Sequence, residues 1–331
     1  MPNTELLSLQ LTVSQPTRLD VALTEAARTE APLLSRRKIK AVLTDLGSMT
    51  LLTPEGRRLQ VNASFPLSPG TYIIDEPQLL TLIMQSRFPP LAIPDPRGCF
   101  LSVCFESDEL LVLDKTSGIP TLPLSGSETG TAVNAAIARC PGLAAVGKGG
   151  LEPGLLHRLD TATSGLLAFA KTQAAFERLR ALWSSGHVGK IYCARVSASA
   201  KRTPLPLAPG TRIDLPLTSD PSSSKRMRTY SQALAAQGAK KLPALTEVLS
   251  FEALEDGTHQ ITVRITTGVR HQIRCHLASM GWPILGDPLY GGAPAPRLYL
   301  HSWKLKIEGS EHLLMPDASI EAPIPWDPST F

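Results

Sequence analysis

Apolar positions first fall into helical register after Ser35, in the stretch 36–47. Ile39, Val42, Leu43 and Leu46 recur at helical spacing, Ser35 supplies an N-cap and Gly47 a stop, which predicts a helix. Residues 49–52 and 58–61 are strand-like and flank Thr53-Pro54-Glu55-Gly56, a turn signal, so a hairpin is expected. Ser68-Pro69-Gly70 adds a turn before a last strand ending near Ile74. Residues 1–80 therefore read as a small α/β module, and the Pro-rich stretch 81–104 as a linker. From 105 to 331 strands and helices alternate irregularly in a second domain. The unbroken apolar run 166–170 predicts a buried strand. Helix 173–185 places Phe176, Leu179, Leu182 and Trp183 on one face, between Thr172 as cap and Gly186 as stop. A strand follows at 188–196, and Ile261, Val263 and Ile265 alternate as a half-buried strand. Residues 270–280 predict a helix burying Ile273, Leu277 and Met280, closed by Gly281. The Lys-, Ser-, Pro- and Ala-rich stretch 197–245 reads as a long surface excursion.

Composition narrows the class without choosing within it. A chain of 331 residues fits two domains, and 43% hydrophobic residues suffice for ordinary cores. The net charge of +4 permits nucleic-acid binding but does not argue for it, so a binding surface must come from clustering. Such a cluster is Arg36, Arg37, Lys38 and Lys40 at a helix start, inside a module whose eight Lys or Arg are matched by eight Asp or Glu. Five scattered cysteines without C-x-x-C spacing argue against zinc and disulfides and for a reducing compartment. The N-terminus is not patterned as a secretory signal, and no apolar run approaches the roughly 20 residues of a membrane span. A cytoplasmic protein is expected. Neither G-x-G-x-x-G, P-loop nor H-E-x-x-H is present, and Gly147-Lys148-Gly149-Gly150 lacks the Walker spacing, so no nucleotide cofactor or metal is expected.

Candidate chemistry concentrates in His157-Arg158-Leu159-Asp160-Thr161-Ala162-Thr163-Ser164-Gly165. One acid sits beside a cationic pair, on a tight turn at the edge of a packed sheet. There a carboxylate is partly desolvated and still meets a substrate. This stretch resembles the RluA-type pseudouridine synthases, which isomerise uridine within RNA. Four further segments match in the same order: residues 105–118, with Thr116 where Pro is usual; Lys190-Ile191-Tyr192; residues 267–277; and the closing stretches 281–291 and 298–303. Residues 1–80 resemble the αL RNA-binding module of the S-four type of ribosomal protein.

The resemblance implies an α+β catalytic domain, with a mixed, largely antiparallel sheet and a central cleft. It implies Asp160 as the catalytic carboxylate, by attack on the ribose or by assisting glycal formation, both of which stay open. Arg274 then keeps that carboxylate ionised against desolvation, and Tyr192 stacks on the target base. Arg158 is the cation that fills the helix stack when uridine is flipped out, which costs a few kcal/mol. His157 is assigned no chemistry. The family places Arg directly after Thr-Gly, whereas this chain has Val269 and then Arg270. With a helix starting by Arg270, that residue and Arg274 share a face, so Arg270 binds phosphate while Val269 packs inward. The expected partner is structured RNA, ribosomal in preference to transfer RNA, met by a monomer. The alternative is an RNA-binding or ribosome-assembly factor on the same fold with little catalysis. A hydrolase using Asp160 ranks last, for want of a positioned general base.

Overall fold

The structure, a computed structural model, describes residues 8–30, 36–86, 91–147, 150–236, 238–307 and 319–326. The chain divides into two units, Met1–Pro90 and Leu91–Phe331.

In the first unit the elements run β1 (Leu9–Val13), β2 (Thr17–Arg18), α1 (Leu19–Glu30), α2 (Arg36–Leu46), β3 (Met49–Leu52), β4 (Arg58–Val61), β5 (Pro66–Leu67), β6 (Gly70–Ile74) and α3 (Pro77–Ser86). An antiparallel sheet of order β1-β6-β3-β4 turns one face to the helices. Leu9, Leu11, Leu51 and Ile74 from the strands and Leu19, Leu23, Ile39, Leu43, Leu79 and Ile83 from the helices share one core. The hairpin over β3 and β4 pairs Met49 with Val61, and Gly47, at φ 69°, ends α2. Ser35 lies outside the described residues.

Of the expected linker 81–104, residues 81–86 belong to α3 of the first unit and residues 91–104 to the second unit. Pro77 occupies the first turn of α3, where its missing N–H costs nothing, and Leu79, Leu80 and Ile83 carry the helix into the core. Ala92 and Leu101 are buried in the second unit, and the buried Asp95 carboxylate accepts from Arg97 Nε at 2.9 Å and Gly130 N at 2.7 Å.

That unit runs β7 (Ser102–Glu106), β8 (Leu110–Lys115), α4 (Ala132–Arg139), β9 (Ser164–Ala170), α5 (Gln173–Ser185), β10 (Val188–Val196), β11 (Arg212–Asp214), β12 (Leu217–Asp220), β13 (Ser223–Thr229), α6 (Gln232–Ala235), β14 (Leu245–Ala253), β15 (His259–Ile265), α7 (Gln272–Ser279), β16 (Leu300–Ile307) and β17 (Ser319–Glu321). One mixed sheet has the order β11-β14-β15-β10-β16-β9-β8-β7, with β17 on β16. Its neighbours are antiparallel except at the central seam, where β16 and β9 run parallel. Strand β9 is buried on both faces, with Leu167 and Phe169 in one core and Leu166, Ala168 and Ala170 in another. Gly165, at φ 106°, lets the seam close, because a Cβ there would lie 2.3 Å from Ser302 O. The predicted caps of α5 are present: Thr172 accepts from Ala175 N and Gly186 ends the helix at φ 80°.

Two expectations fail in this unit. Stretch 197–245 is no mere surface excursion. It contains β11 and the hairpin β12–β13, which buries Leu217 and Met227 against Cys275 of α7. Helix α7 begins at Gln272, not Arg270, because His271 takes a left-handed conformation (φ 55°) that helical backbone cannot continue through. Arg270 and Arg274 therefore do not share a helix face. Among the described residues no helix is long and apolar enough to cross a membrane.

Candidate active site

Asp160 sits on the turn leading into β9, and the loop after β8 fixes that turn from beneath. Thr121 Oγ1 donates to Leu159 O at 2.7 Å, Ser117 Oγ to Ala162 O at 2.7 Å, and Gly118 N to Thr161 O at 2.8 Å. Lys115 Nζ, fully buried, donates to Ile119 O at 2.7 Å, Thr161 O at 3.1 Å and Thr116 O at 3.2 Å. Two sequence motifs thus form one scaffold. Burial pushes the Lys115 ammonium down to about 7, against the opposing pull of the Asp160 charge.

The Asp160 side chain keeps 23% of its surface open and is gripped from α7. Arg274 Nη1 donates to Asp160 Oδ2 at 2.9 Å. The other edge of the same guanidinium holds Asp287, with Nε to Oδ2 at 2.7 Å and Nη2 to Oδ1 at 2.9 Å. Asp287 is fully buried, so the fork is fixed at its inner end and presents its outer end to Asp160. Burial works against the Arg274 charge, but the Asp287 hydrogen bonds and then the charges of both carboxylates hold its pKa above the ordinary arginine value. The counter-charge is permanent.

Tyr192 on β10 stands opposite Ser302 of β16 and is 5% exposed. Burial pushes its hydroxyl up to about 12; Ser302 lowers it and the Asp160 charge raises it further. At neutral pH the phenol keeps its proton. Lys190, two residues earlier, is buried, donates to Thr267 O at 3.0 Å, and is pushed down to about 8 by desolvation. It ties β10 to the turn before α7. His157 supports the fold: Nε2 accepts from Ala168 N at 3.2 Å and the ring stacks on Trp183.

Thus Asp160, Tyr192 and Arg274 come together. Arg158 stays at the surface, its side chain 67% exposed and 3.9 Å from Glu152. Arg270 is also exposed, but Nη2 donates to Ser224 O at 2.9 Å and weakly to Arg226 O, so it braces β13. Val269 packs inward on the cluster of Leu217, Met227 and Cys275. Lys40 is exposed on α2, and the side chains of Arg36, Arg37 and Lys38 lie outside the described residues.

Sequence reasoning missed four groups. Lys115 was marked only by a lone cation closing the apolar run of β8. Asp287 and Tyr290 lie in a stretch matched as a motif but given no roles. His271 was visible only as the neighbour of Gln272. Beside them, Lys225, Arg226 and Arg228 are exposed on β13, and Arg226 and Arg274 flank the Tyr290 ring, 5.7 and 5.3 Å from its centroid.

Fold and site together define an α+β protein with a partly open carboxylate, held by a buried arginine, at the end of a central strand of its sheet. The chain belongs to the RNA pseudouridylate synthase family, whose pattern matches residues 109–279, more than half its length. A protein of Xanthomonas campestris pv. campestris named ribosomal large subunit pseudouridine synthase D is 36% identical over 198 residues, covering 60% of this chain and 54% of the relative. The Neisseria meningitidis serogroup A protein of the same name is 29% identical, covering 89% of this chain and 77% of that one. The chain spans only 54–58% of the length of the Xanthomonas relative and of two others that carry the same name, from Zymomonas mobilis and Pseudomonas aeruginosa. The solved structure of human RNA Pseudouridylate Synthase Domain Containing 1 shares the fold, with a TM-score of 0.54 at 22% identity over 70% of this chain and 87% of that one.

Proposed function

We propose that this protein isomerises uridine to pseudouridine in RNA, with Asp160 as the catalytic carboxylate. The reaction breaks the bond from ribose to base nitrogen, turns the base, and rejoins it through carbon 5, whose proton is lost. It needs an ionised carboxylate that water only partly covers. The observation that carries the reading is Arg274, anchored on Asp287 by two hydrogen bonds and joined to Asp160 by a third. Tyr192, neutral at physiological pH, serves to stack on the base or to donate a hydrogen bond.

The substrate we infer is ribosomal RNA of the large subunit, the substrate in the names of the relatives, met in the cytoplasm by a monomer. Arg158 lies two residues from Asp160 and fits a phosphate or the gap left by a flipped nucleotide. Lys225, Arg226 and Arg228, exposed on β13, would supply further phosphate contacts, with Arg270 holding their strand in place. Residues 1–80, read as an S-four-like module, would add Arg36, Arg37, Lys38 and Lys40. Mapping pseudouridines in RNA from cells with and without the protein tests the reading. Loss of defined sites in large-subunit RNA supports it. An unchanged map leaves an RNA-binding or assembly factor as the better account.

A further inference from the structure

His271 is the only non-glycine among the described residues with a positive φ, at 55°. The turn that holds it there is clamped by Gln272, whose Oε1 accepts from Thr267 Oγ1 at 2.9 Å and Val269 N at 3.2 Å while Nε2 donates to Leu245 O at 2.8 Å. The left-handed residue swings the imidazole off the axis of α7 and aims it at Asp160. Its Nε2 lies 3.6 Å from Asp160 Oδ2, the oxygen that accepts from Arg274, and its side chain is only 11% exposed. On the far side Nδ1 lies 3.1 Å from the Tyr290 hydroxyl.

Proton accounting fixes the tautomer. Met227 N donates to the Tyr290 hydroxyl at 2.9 Å, so that oxygen already has one donor. The single Tyr290 proton then has two acceptors in reach, Met227 O at 3.2 Å and His271 Nδ1. A lone pair on Nε2 would face the Asp160 carboxylate and be repelled. An N–H there is attracted, leaving the lone pair on Nδ1 to take the tyrosine proton. The chain then runs from Met227 N–H through Tyr290 O–H to His271, and from Nε2–H towards Asp160. Serial hydrogen bonds polarise in one direction and strengthen one another. At 3.6 Å the last contact is electrostatic, not a hydrogen bond; such contacts tighten when substrate fills a site. Burial lowers the His271 pKa, the Asp160 charge raises it, and the cations of Arg274 and Arg270 lower it again, with Asp287 a lesser opposing influence. The ring is neutral at pH 7.

We propose that His271 is a positioning residue for Asp160: oriented by Tyr290, its Nε2–H and the Arg274 guanidinium both take hold of Oδ2, leaving Oδ1 as the oxygen that meets the ribose–base junction. No described group donates a hydrogen bond to Oδ1. The inference rests on the synthase reading for its chemistry but not for its geometry.

Two measurements test it. Side-chain ¹⁵N spectra of the full chain, with the His271 signals assigned from the His271→Gln variant, should show neutral Nε2–H imidazole at pH 7. Tyr290→Phe should turn that signature into a tautomer mixture. In single-turnover assays at saturating RNA, His271→Ala should slow the rate about tenfold or more, as expected for losing a donor to a charged acceptor. His271→Gln, which keeps an N–H at that reach, should recover most of the loss, with RNA affinity within about twofold in both. An Nδ1–H or imidazolium signature in the wild type, or equal rates in the Ala variant and the wild type, would overturn the proposal. A wild type that forms no pseudouridine would sink the synthase reading instead, and the spectra would still decide the geometry.

Discussion

Asp287 determines what removing Arg274 does. The Arg274 side chain is 7% exposed and bridges a fully buried carboxylate to a partly open one, so its deletion strands two negative charges. Arg274→Ala should therefore abolish turnover and also destabilise the second unit by about 3–5 kcal/mol, the usual cost of orphaning a buried ion. All four tryptophans (Trp183, Trp282, Trp303 and Trp326) lie in that unit, so urea titration by their fluorescence reads its stability directly. An unchanged midpoint would mean that Asp287 finds another partner. Sequence alone pointed to Arg274 as a purely catalytic cation, because a motif gives a residue's place but not what its other nitrogens touch. Asp160, Tyr192 and Arg274 were legible as words of a pattern. Lys115, His271, Asp287 and Tyr290 were not, since each acts through a partner at least 13 residues away in the chain, and often more than 40.

Among the elements, the hairpin β12–β13 was the least legible. Its strands carry few apolar residues, and Met227 alone on β13 is buried. Its order comes from outside: Arg270 Nη2 on Ser224 O, Tyr290 on both backbone groups of Met227, and Cys275 Sγ on Met227 O at 3.7 Å. Periodicity cannot see a strand held this way. Strand β9 was plain for the opposite reason, burial on both faces. Replacing Lys225, Arg226 and Arg228 with Ser should weaken RNA binding and lower the salt slope by about two to three phosphate contacts, while the single-turnover rate at saturating RNA stays near wild type. Arg270→Ala should act on the hairpin, raising amide exchange along β13. Unaltered exchange there, together with a salt slope lower by about one contact, would restore Arg270 to a direct phosphate role.

For the molecule as a whole, buried histidines make the second unit acid-labile. Burial, reinforced by the Lys190 charge, holds His157 at about 3, and burial holds His301 at about 4, with the Ala322 backbone opposing and Arg297 assisting. Unfolded, both protonate near 6.5, so between there and their folded values the unfolded state binds more protons. The histidines' contribution is then fully present above pH 6.5 and drains as pH falls, by about 2 kcal/mol per histidine at pH 5. The urea midpoint should drop across pH 6.5 to 5, before most carboxylates titrate, and His301→Asn should flatten that slope; a flat wild-type profile would contradict the buried, neutral assignment. The mixed sheet and the ordered motifs along it were expected from the family resemblance. The boundary at Pro90 falls within the stretch 81–104 read as a linker, but that stretch was drawn too wide, because residues 81–86 continue α3. The central claim, that one carboxylate carries the isomerisation, is tested most directly with RNA tritiated at uridine carbon 5, whose label is released only when that carbon becomes the glycosidic one. Asp160→Asn should bind the RNA as wild type does and release tritium at least about a thousandfold more slowly, some 4 kcal/mol of barrier. Release within about tenfold of wild type would show that Asp160 is not the catalytic group.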